Sequence, residues 1–327
     1  GEFFGGHLHP LVIVTTLILG PLSASKVVVV ASMSLAGIAQ WWLARVMHLG
    51  MVARLWVAML AVVGGHLSGR MDMGLIIMVL SIASTSLILA PMLELGITGR
   101  RRPAIWLGLL TGLALISGQG YMQLGMVFGL LPAYLILLWG APLRRWRTRL
   151  NLLLAGGLAL LVSAVNYLPL LRFWNNIDKP GDIYFTGAQP IHFIPLNMLI
   201  SDYAFFTTDA LQKKPFPAFY MNYIGWIPVL LAVLTVFLVP RRARRVWFFL
   251  IGAIFFIYLA SSGVLFRMLV GDLTFLSGSR HPALISPLSV PLVLGLGAWG
   301  LDLLVKRFNL PHLGRSLLRA AQPTQVM

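Results

Sequence analysis

Residues 73–102 read MGLIIMVLSIASTSLILAPMLELGITGRRR, a long apolar run that ends at three consecutive arginines. The first 21 of these residues contain no charged side chain, and a helix of about 20 apolar residues is long enough to cross a bilayer. The arginines that follow, 100–102, are typical of a loop that stays in the cytoplasm. The same alternation continues along the 327-residue chain. It predicts an all-α, polytopic transmembrane helix bundle that forms a single domain over residues 1–327.

Nine apolar runs are long enough to be predicted as spans. A tenth run, 11–22, is shorter and is bounded by Pro10 and Pro21, so we expect a re-entrant or interfacial half helix there. The connection 172–222 is long and rich in proline and aromatic residues, and we expect it outside the membrane. Within it, residues 191–206 favour either an amphipathic helix at the outer interface or a packed loop that caps the bundle. The nine predicted spans are residues 26–46, 51–67, 73–93, 104–118, 122–138, 150–168, 223–239, 246–261 and 285–305.

The basic residues predict the orientation of these spans. One side of the predicted membrane holds 17 of the 25 basic residues but only Glu94 and Asp302 of the nine acidic residues. Because Lys and Arg accumulate in cytoplasmic loops, this side is predicted to be cytoplasmic, together with the tail 306–327. The 17 are Arg45, Arg54, Arg100, Arg101, Arg102, Arg144, Arg145, Arg147, Arg149, Arg241, Arg242, Arg244, Arg245, Lys306, Arg307, Arg315 and Arg319.

The composition excludes several classes of protein. With 58% hydrophobic and 10% charged residues, the chain is unlike a soluble domain, which carries about 25% charge. The net charge of +16 lies in short loops between apolar runs, so membrane lipids, and not nucleic acid, are the predicted partner. The lack of cysteine excludes disulfides, thiolate metal sites and cysteine nucleophiles. His7 and His9 have no third ligand nearby in sequence, so no cofactor is predicted and a divalent metal has no ligand set to support it.

The remaining polar residues gather on the predicted external side. An arginine there offers a forked donor that suits phosphate, so the cluster predicts a site for an anionic lipid headgroup. Arg280 is the strongest candidate, because residues 277–282, SGSRHP, interrupt helical periodicity beside the last span. Two alternatives stay open: an ion pair between Arg70 and Asp72 in a hairpin, and hydrogen bonds within a tight turn around residues 119–123. The candidates are His66, Arg70 and Asp72 in one hairpin, Gln119, Tyr121 and Gln123 in the next, and Arg280 with His281 before the last span.

Several short motifs occur in an order that is similar to one membrane enzyme family. They are GGHLHPL at 5–11, WLAR at 42–45, GHLSGR at 65–70, GQGYMQ at 118–123, RHP at 280–282 and the glycines of the final span at 295, 297 and 300. With these motifs the chain resembles the polyprenyl-phosphate-dependent C-type glycosyltransferases (GT-C fold), and among them the bacterial YfhO-like membrane proteins.

The resemblance implies an enzyme of the bacterial inner membrane with its C-terminus in the cytoplasm. Such enzymes move a sugar from a polyprenyl-phosphate donor to a lipid, glycan or protein acceptor on the external face. Their essential carboxylic acid follows the first span. Because the chain starts at Gly1 without an initiator Met, we expect an N-terminally truncated fragment whose catalytic acid lies upstream. Within the chain, Asp72 is the candidate carboxylate. The expected contacts to donor phosphate, sugar or acceptor are Arg70, Arg280, His281, His66, Gln119, Tyr121 and Gln123.

Two other functions stay open. A lipid or glycan transporter or flippase should carry ionisable groups near mid-span, whereas the mid-span positions here are mostly Leu, Ile, Val, Ala and Gly. A non-catalytic membrane scaffold, with the same helices but without catalytic residues, would also lack the essential acid.

Overall fold

The computed structural model describes residues 6–118, 120–139, 145–173, 189–206, 220–240, 243–261 and 282–308. These residues form helices and short connections, with no strand among them. Their α-helices of six or more residues are α1 Pro10–Val46, α2 Met51–Val63, α3 Gly65–Asp72, α4 Ile76–Leu87, α5 Leu89–Thr98, α6 Arg101–Ile116, α7 Gly120–Gly125, α8 Leu131–Leu138, α9 Trp146–Arg172, α10 Trp226–Leu238, α11 Arg244–Ala260 and α12 Ser289–Arg307. A π-helical stretch, Met126–Leu130, joins α7 to α8, and a 3₁₀ turn, Pro282–Leu288, leads into α12.

Six helical stretches in the described ranges are long and apolar enough to cross a membrane. The predicted all-α bundle of a multi-pass membrane protein is confirmed to this extent. The other three predicted spans coincide with α6, α10 and α11, which have 16, 13 and 17 residues. At 1.5 Å per residue these helices are about 20–26 Å long, against about 30 Å of hydrocarbon, so nine spans remain a prediction. The six are Pro10–Val46, Met51–Asp72, Ile76–Thr98, Gly120–Leu138, Trp146–Arg172 and Pro282–Arg307.

Helix α1 is bent near its start. Gly20 has φ 73° and ψ 165°, and Pro21 follows it inside the helix. Glycine tolerates a positive φ, and proline supplies no N–H to the preceding turn. The predicted half helix 11–22 and the predicted span 26–46 therefore correspond to two helical arms that are separated by this non-helical residue, and the break expected between them is present. The first arm is about 15 Å long, half the thickness of a bilayer core.

Residues 191–206 do not form one amphipathic helix. The structure has a 3₁₀ turn at Pro195–Met198 and a single helical turn at Tyr203–Phe206. Buried Asn197 exchanges two side-chain amide hydrogen bonds with Gln189, at 2.6 and 3.2 Å. Because buried amides must be paired, this exchange stabilises a packed loop, which is the alternative that the sequence left open.

The outer helices expose apolar side chains that a water-soluble protein would bury. In the most apolar window of Ile76–Thr98, 83% of residues are buried, against 17% in α1 and in α9. Leu17 and Leu22 on α1 and Leu160 on α9 are 81%, 82% and 70% exposed. Such surfaces are stable when lipid tails are the solvent.

Helices α6 and α9 lie side by side and start at the same end of the bundle. A Cβ added at Gly108 of α6 would meet the Ala155 carbonyl oxygen of α9 at 2.6 Å, and one at Gly112 would meet the Ala159 oxygen at 3.2 Å. Small residues four apart let two helix backbones approach closely, a common mode of packing in membranes.

Candidate functional site at the α3 end of the bundle

The structure places five of the eight predicted site residues on two short helices. His66, Arg70 and Asp72 lie on α3, and Tyr121 and Gln123 lie on α7. Helix α7 packs against the Pro282–Leu288 turn and against α4, which follows α3, so these elements share one end of the bundle. Gln119, Arg280 and His281 lie outside the described residues.

Helix α3 is fixed at its start by a neighbouring extended segment, residues 220–225. The Gly64 backbone (φ −63°, ψ 140°) interrupts the helix between α2 and α3. Because of this interruption the Gly65 amide makes no hydrogen bond within a helix, and it donates to the Tyr223 carbonyl at 2.7 Å. A Cβ at Gly69 would lie 3.2 Å from the Met221 side chain. Glycines at these positions therefore allow α3 to lie directly on the segment.

Arg70 ties the same segment to α3 from within the protein. Its side chain is fully buried, and its Nη1 donates to the Met221 carbonyl oxygen and, at 3.2 Å, to the His66 carbonyl oxygen. Charge-assisted bonds to buried carbonyls contribute more than neutral ones. The guanidinium therefore holds α3 and residues 220–225 in register.

The Met221 and Tyr223 carbonyls accept hydrogen bonds from α3. Asn222, between them, bonds instead to two other segments. Its Nδ2 donates to Ser286 Oγ at 2.7 Å, and its amide donates to the Asn197 carbonyl at 3.2 Å. We call α3, residues 220–225 and the Pro282–Leu288 turn the α3 junction. The α3 junction thus connects the hairpin that contains α3 to the turn that leads into α12.

His66 and Asn222 of the α3 junction each contain a buried polar atom that has no hydrogen-bond partner. His66 is 2% exposed, and its Nδ1 is unpaired; Asn222 Oδ1 is unpaired likewise. A buried polar atom without a partner costs about 1–3 kcal/mol, and such atoms in a native structure call for an explanation, often a ligand. His66 and Asn222 are therefore candidates for a direct contact with a ligand.

Asp72 lies in a different environment from Arg70. It is exposed at the end of α3, two residues after the buried arginine. The Asp72 carboxylate is thus at the protein surface, whereas the Arg70 guanidinium lies inside and donates to backbone carbonyls.

Gln123 connects three helices. Its Nε2 donates to the Leu115 carbonyl near the end of α6 at 2.7 Å, and its side chain also hydrogen bonds to Tyr167 on α9. Tyr121 is half-buried on the same short helix. The bond to Leu115 crosses the α6–α7 turn, which is the turn-stabilising role that the sequence left open beside a binding role.

A cleft of about 400 Å³ opens beside α3. It lies between the kinked part of α1 and the start of α4, immediately after Asp72. Most of its lining is apolar, and Thr16, Ser25 and His7 add polar groups. Its walls include Pro21, Ala24, Val28, Gly74, Leu75 and Met78.

Sequence reasoning missed the roles of Asn222, Ser286 and Asn197. They are uncharged and sit in or beside stretches interpreted as loop or span edge, so nothing in the local pattern singled them out. The available signal was an amide, Asn222, placed directly before the apolar run 223–239. In the described part of the chain no three His, Asp or Glu side chains come together as a metal site would require.

Comparison with protein-family models, with curated proteins and with solved structures gave no significant match to this chain.

Proposed function

We propose that this chain is part of an integral membrane glycosyltransferase that takes a sugar from a polyprenyl-phosphate donor. The acceptor is a lipid, a glycan or a protein on the external face of a bacterial inner membrane, and the C-terminus is cytoplasmic. One observation carries the proposal. The buried polar groups of the α3 junction lie at the same end of the bundle as an apolar cleft of about 400 Å³.

This combination suits an amphiphilic donor. A polyprenyl chain requires an apolar cleft between helices, and its phosphate and sugar require polar groups at the same depth. Thr16 and Ser25 line the cleft from α1, and exposed Asp72 precedes the lining residue Gly74 by two positions in the sequence. A cleft reached from the lipid side lets the donor enter without leaving the membrane.

The proposal assigns separate tasks to the residues. Asp72 is the in-chain candidate for the general base that removes the proton of the acceptor hydroxyl. Arg280, with His281, supplies positive charge to the departing phosphate. Arg70 acts through its bonds to the Met221 carbonyl and is a positioning residue. Polar contacts to the sugar or acceptor come from His66, Gln119, Tyr121 and Gln123.

The test of the chemistry is sugar transfer by the full-length protein. Arg280→Ala is expected to abolish transfer and to leave membrane insertion intact. Arg172→Ala is the matched control, because Arg172 is an exposed arginine at the end of α9, a helix that packs mainly against α6. Wild-type turnover by the Arg280→Ala protein would remove this arginine from the site.

The test of the cleft is donor binding, measured by native mass spectrometry with a polyprenyl phosphate. Ser25→Trp fills the cleft and is expected to prevent retention of the lipid. Leu17→Trp, on the same helix but 81% exposed and outside the cleft, is expected to bind like the wild type. Equal binding by the two variants would contradict the assignment of the cleft.

A second candidate, lipid or glycan transport, is favoured by the break in α1 at Gly20 and Pro21, because discontinuous helices line the sites of many transporters. Reconstituted protein that moves a labelled polyprenyl-linked sugar across liposomes without transferring the sugar would support transport. A non-catalytic scaffold would do neither.

A further inference from the structure

The end of the bundle opposite the α3 junction carries a second cleft, of about 520 Å³, lined by arginines. It lies where α5 ends and where α6 and α9 begin. Arg100, Arg101, Arg145 and Arg147 line it, together with Thr98, Thr148 and Asn151. Within the described part of the chain, no carboxylate forms an ion pair with any of the four arginines. The cleft, which we call the arginine cleft, therefore concentrates unbalanced positive charge.

The two helices that start at this cleft add to its positive potential. Arg100 and Arg145 are the N-cap residues of α6 and α9, and neither helix has a side-chain cap. Uncapped N-terminal N–H groups and the positive end of the helix dipole both attract anions. Because α6 and α9 start at the same end, their two dipoles act at one place.

Both helices begin with charged residues that are unfavourable in the first turn of a helix. Acidic residues stabilise the first turn of a helix and basic ones destabilise it, yet neither first turn contains an acidic residue and both contain arginine. The arginine cleft is held in shape by polar contacts: Asn151 Nδ2 donates to the Gly99 carbonyl at 2.8 Å, and Thr98 Oγ1 accepts from the Arg100 amide at 3.3 Å. A bound anion would compensate the charge that these helix starts accumulate.

The apolar surface beside the cleft indicates the kind of anion. Leu150 lines the cleft and is 45% exposed, and Leu153, one turn further along α9, is 71% exposed. Trp106 on α6 is exposed on the neighbouring helix. The positively charged cleft thus continues directly into a surface suited to acyl chains.

We propose that the arginine cleft is a binding site for the phosphate of an anionic phospholipid, whose acyl chains lie along the exposed faces of α6 and α9. Guanidinium groups donate in pairs to phosphate oxygens, and the first-turn amides of the two helices supply further donors. The site takes the phosphodiester of a membrane lipid and is separate from the α3 junction, so it does not depend on the sugar-transfer reaction.

The test compares lipid retention by variants of the whole chain with equal charge. Purified protein is incubated with phosphatidylglycerol or with phosphatidylcholine and examined by native mass spectrometry. The double variant Arg101→Gln, Arg147→Gln is expected to bind phosphatidylglycerol at least tenfold more weakly. The control, Arg102→Gln with Arg307→Gln, removes the same charge from exposed positions outside the cleft and should change binding less than twofold. Equal losses in both would overturn the site and leave only a diffuse charge effect.

Two further measurements complete the test. The variant Arg101→Lys, Arg147→Lys keeps the charge and the fold but loses the forked donors, and we expect it to bind several-fold more weakly; wild-type binding would contradict the cleft geometry. Millimolar inorganic phosphate should not displace the lipid. Displacement by free phosphate would instead assign the cleft to a soluble phosphate compound and overturn the assignment to lipid.

Discussion

The close contact between α6 and α9 predicts that a methyl group added at Gly108 will destabilise the protein. In Gly108→Ala, the new Cβ would lie 2.6 Å from the Ala155 carbonyl oxygen, 2.7 Å from Leu158 Cβ and 3.1 Å from Ala155 Cα. Two of these atoms are backbone, which has no other rotamer to adopt. Contacts below 3.0 Å are essentially never seen for a real Cβ, so the two helices must separate by about 0.6–0.8 Å.

The magnitude follows from the cost of this separation. A gap of about 0.5–1 Å removes a quarter to a half of the dispersion energy of each contact at the interface, and overpacking costs about 1–3 kcal/mol. The matched control is Gly157→Ala on α9, where nothing lies within 4 Å of the added Cβ. That change should be neutral or stabilise by up to about 1 kcal/mol, since alanine favours helix over glycine. Because the gain in helix propensity is common to both variants, they should differ by the overpacking cost of about 1–3 kcal/mol.

The assay is thermal unfolding of the purified protein in lipid nanodiscs, followed by the fluorescence of its 10 tryptophans. We expect Gly108→Ala to unfold about 2–8 °C below Gly157→Ala. If Gly108→Ala unfolds at the same temperature as the control or above it, α6 and α9 do not pack as described, and the position of the arginine cleft between them would have to be reconsidered.

Three further predictions concern buried polar groups. Asp302 is 4% exposed, accepts a hydrogen bond at 2.8 Å from the Gly50 amide at the start of α2, and forms an ion pair with Lys306 at 2.5 Å. Asp302→Asn should therefore destabilise the protein by about 1–3 kcal/mol, measured by thermal unfolding. Lys306→Met should have less effect, because that lysine is mostly exposed. Asn222→Ala leaves Ser286 Oγ without its donor and should loosen the α3 junction, measured as faster amide exchange there with little change at α9. His9 caps α1 by accepting from a backbone amide through Nδ1 at 3.3 Å, and burial lowers the pKa of its imidazole to about 4. Since this value is below 6.5, the usual pKa of the unfolded chain, stability should fall as pH decreases from 6.5 through 4, and His9→Asn should remove that part of the pH dependence; an unchanged pH profile in His9→Asn would contradict the cap.

Much of the architecture was predictable from local sequence. The run 73–93 was predicted as a span because it has 21 residues without a charge and is followed by the arginines 100–102, and the structure has the long buried stretch Ile76–Thr98 there. The break in α1 was also predicted, because Pro21 was interpreted as a boundary between elements, and the structure adds that the second arm starts directly after the break. A positive φ at Gly20 lets the chain turn and continue as helix, and whether a proline ends or bends a helix depends on the neighbours that support it.

The candidate site was less predictable. Arg70 was interpreted as a phosphate contact because an arginine beside a span end is costly without a role. The structure gives it a role within the fold, since its Nη1 donates to the carbonyl of Met221, which is 151 residues away in sequence. The contact predicted for His66 stays a prediction, to which the structure adds that His66 Nδ1 is buried without a hydrogen-bond partner.

The sequence by itself determined that this chain is helical and suited to a membrane, because a bilayer forces each segment to satisfy its own backbone hydrogen bonds and makes segment length and charge local properties. Only the tertiary structure decided which polar groups meet. Asn222 hydrogen bonds to Ser286, which is 64 residues away in sequence, and the starts of α6 and α9 together line one arginine cleft. These pairings depend on which helices become neighbours, and the side-chain pattern of one helix does not specify which helix will pack against it.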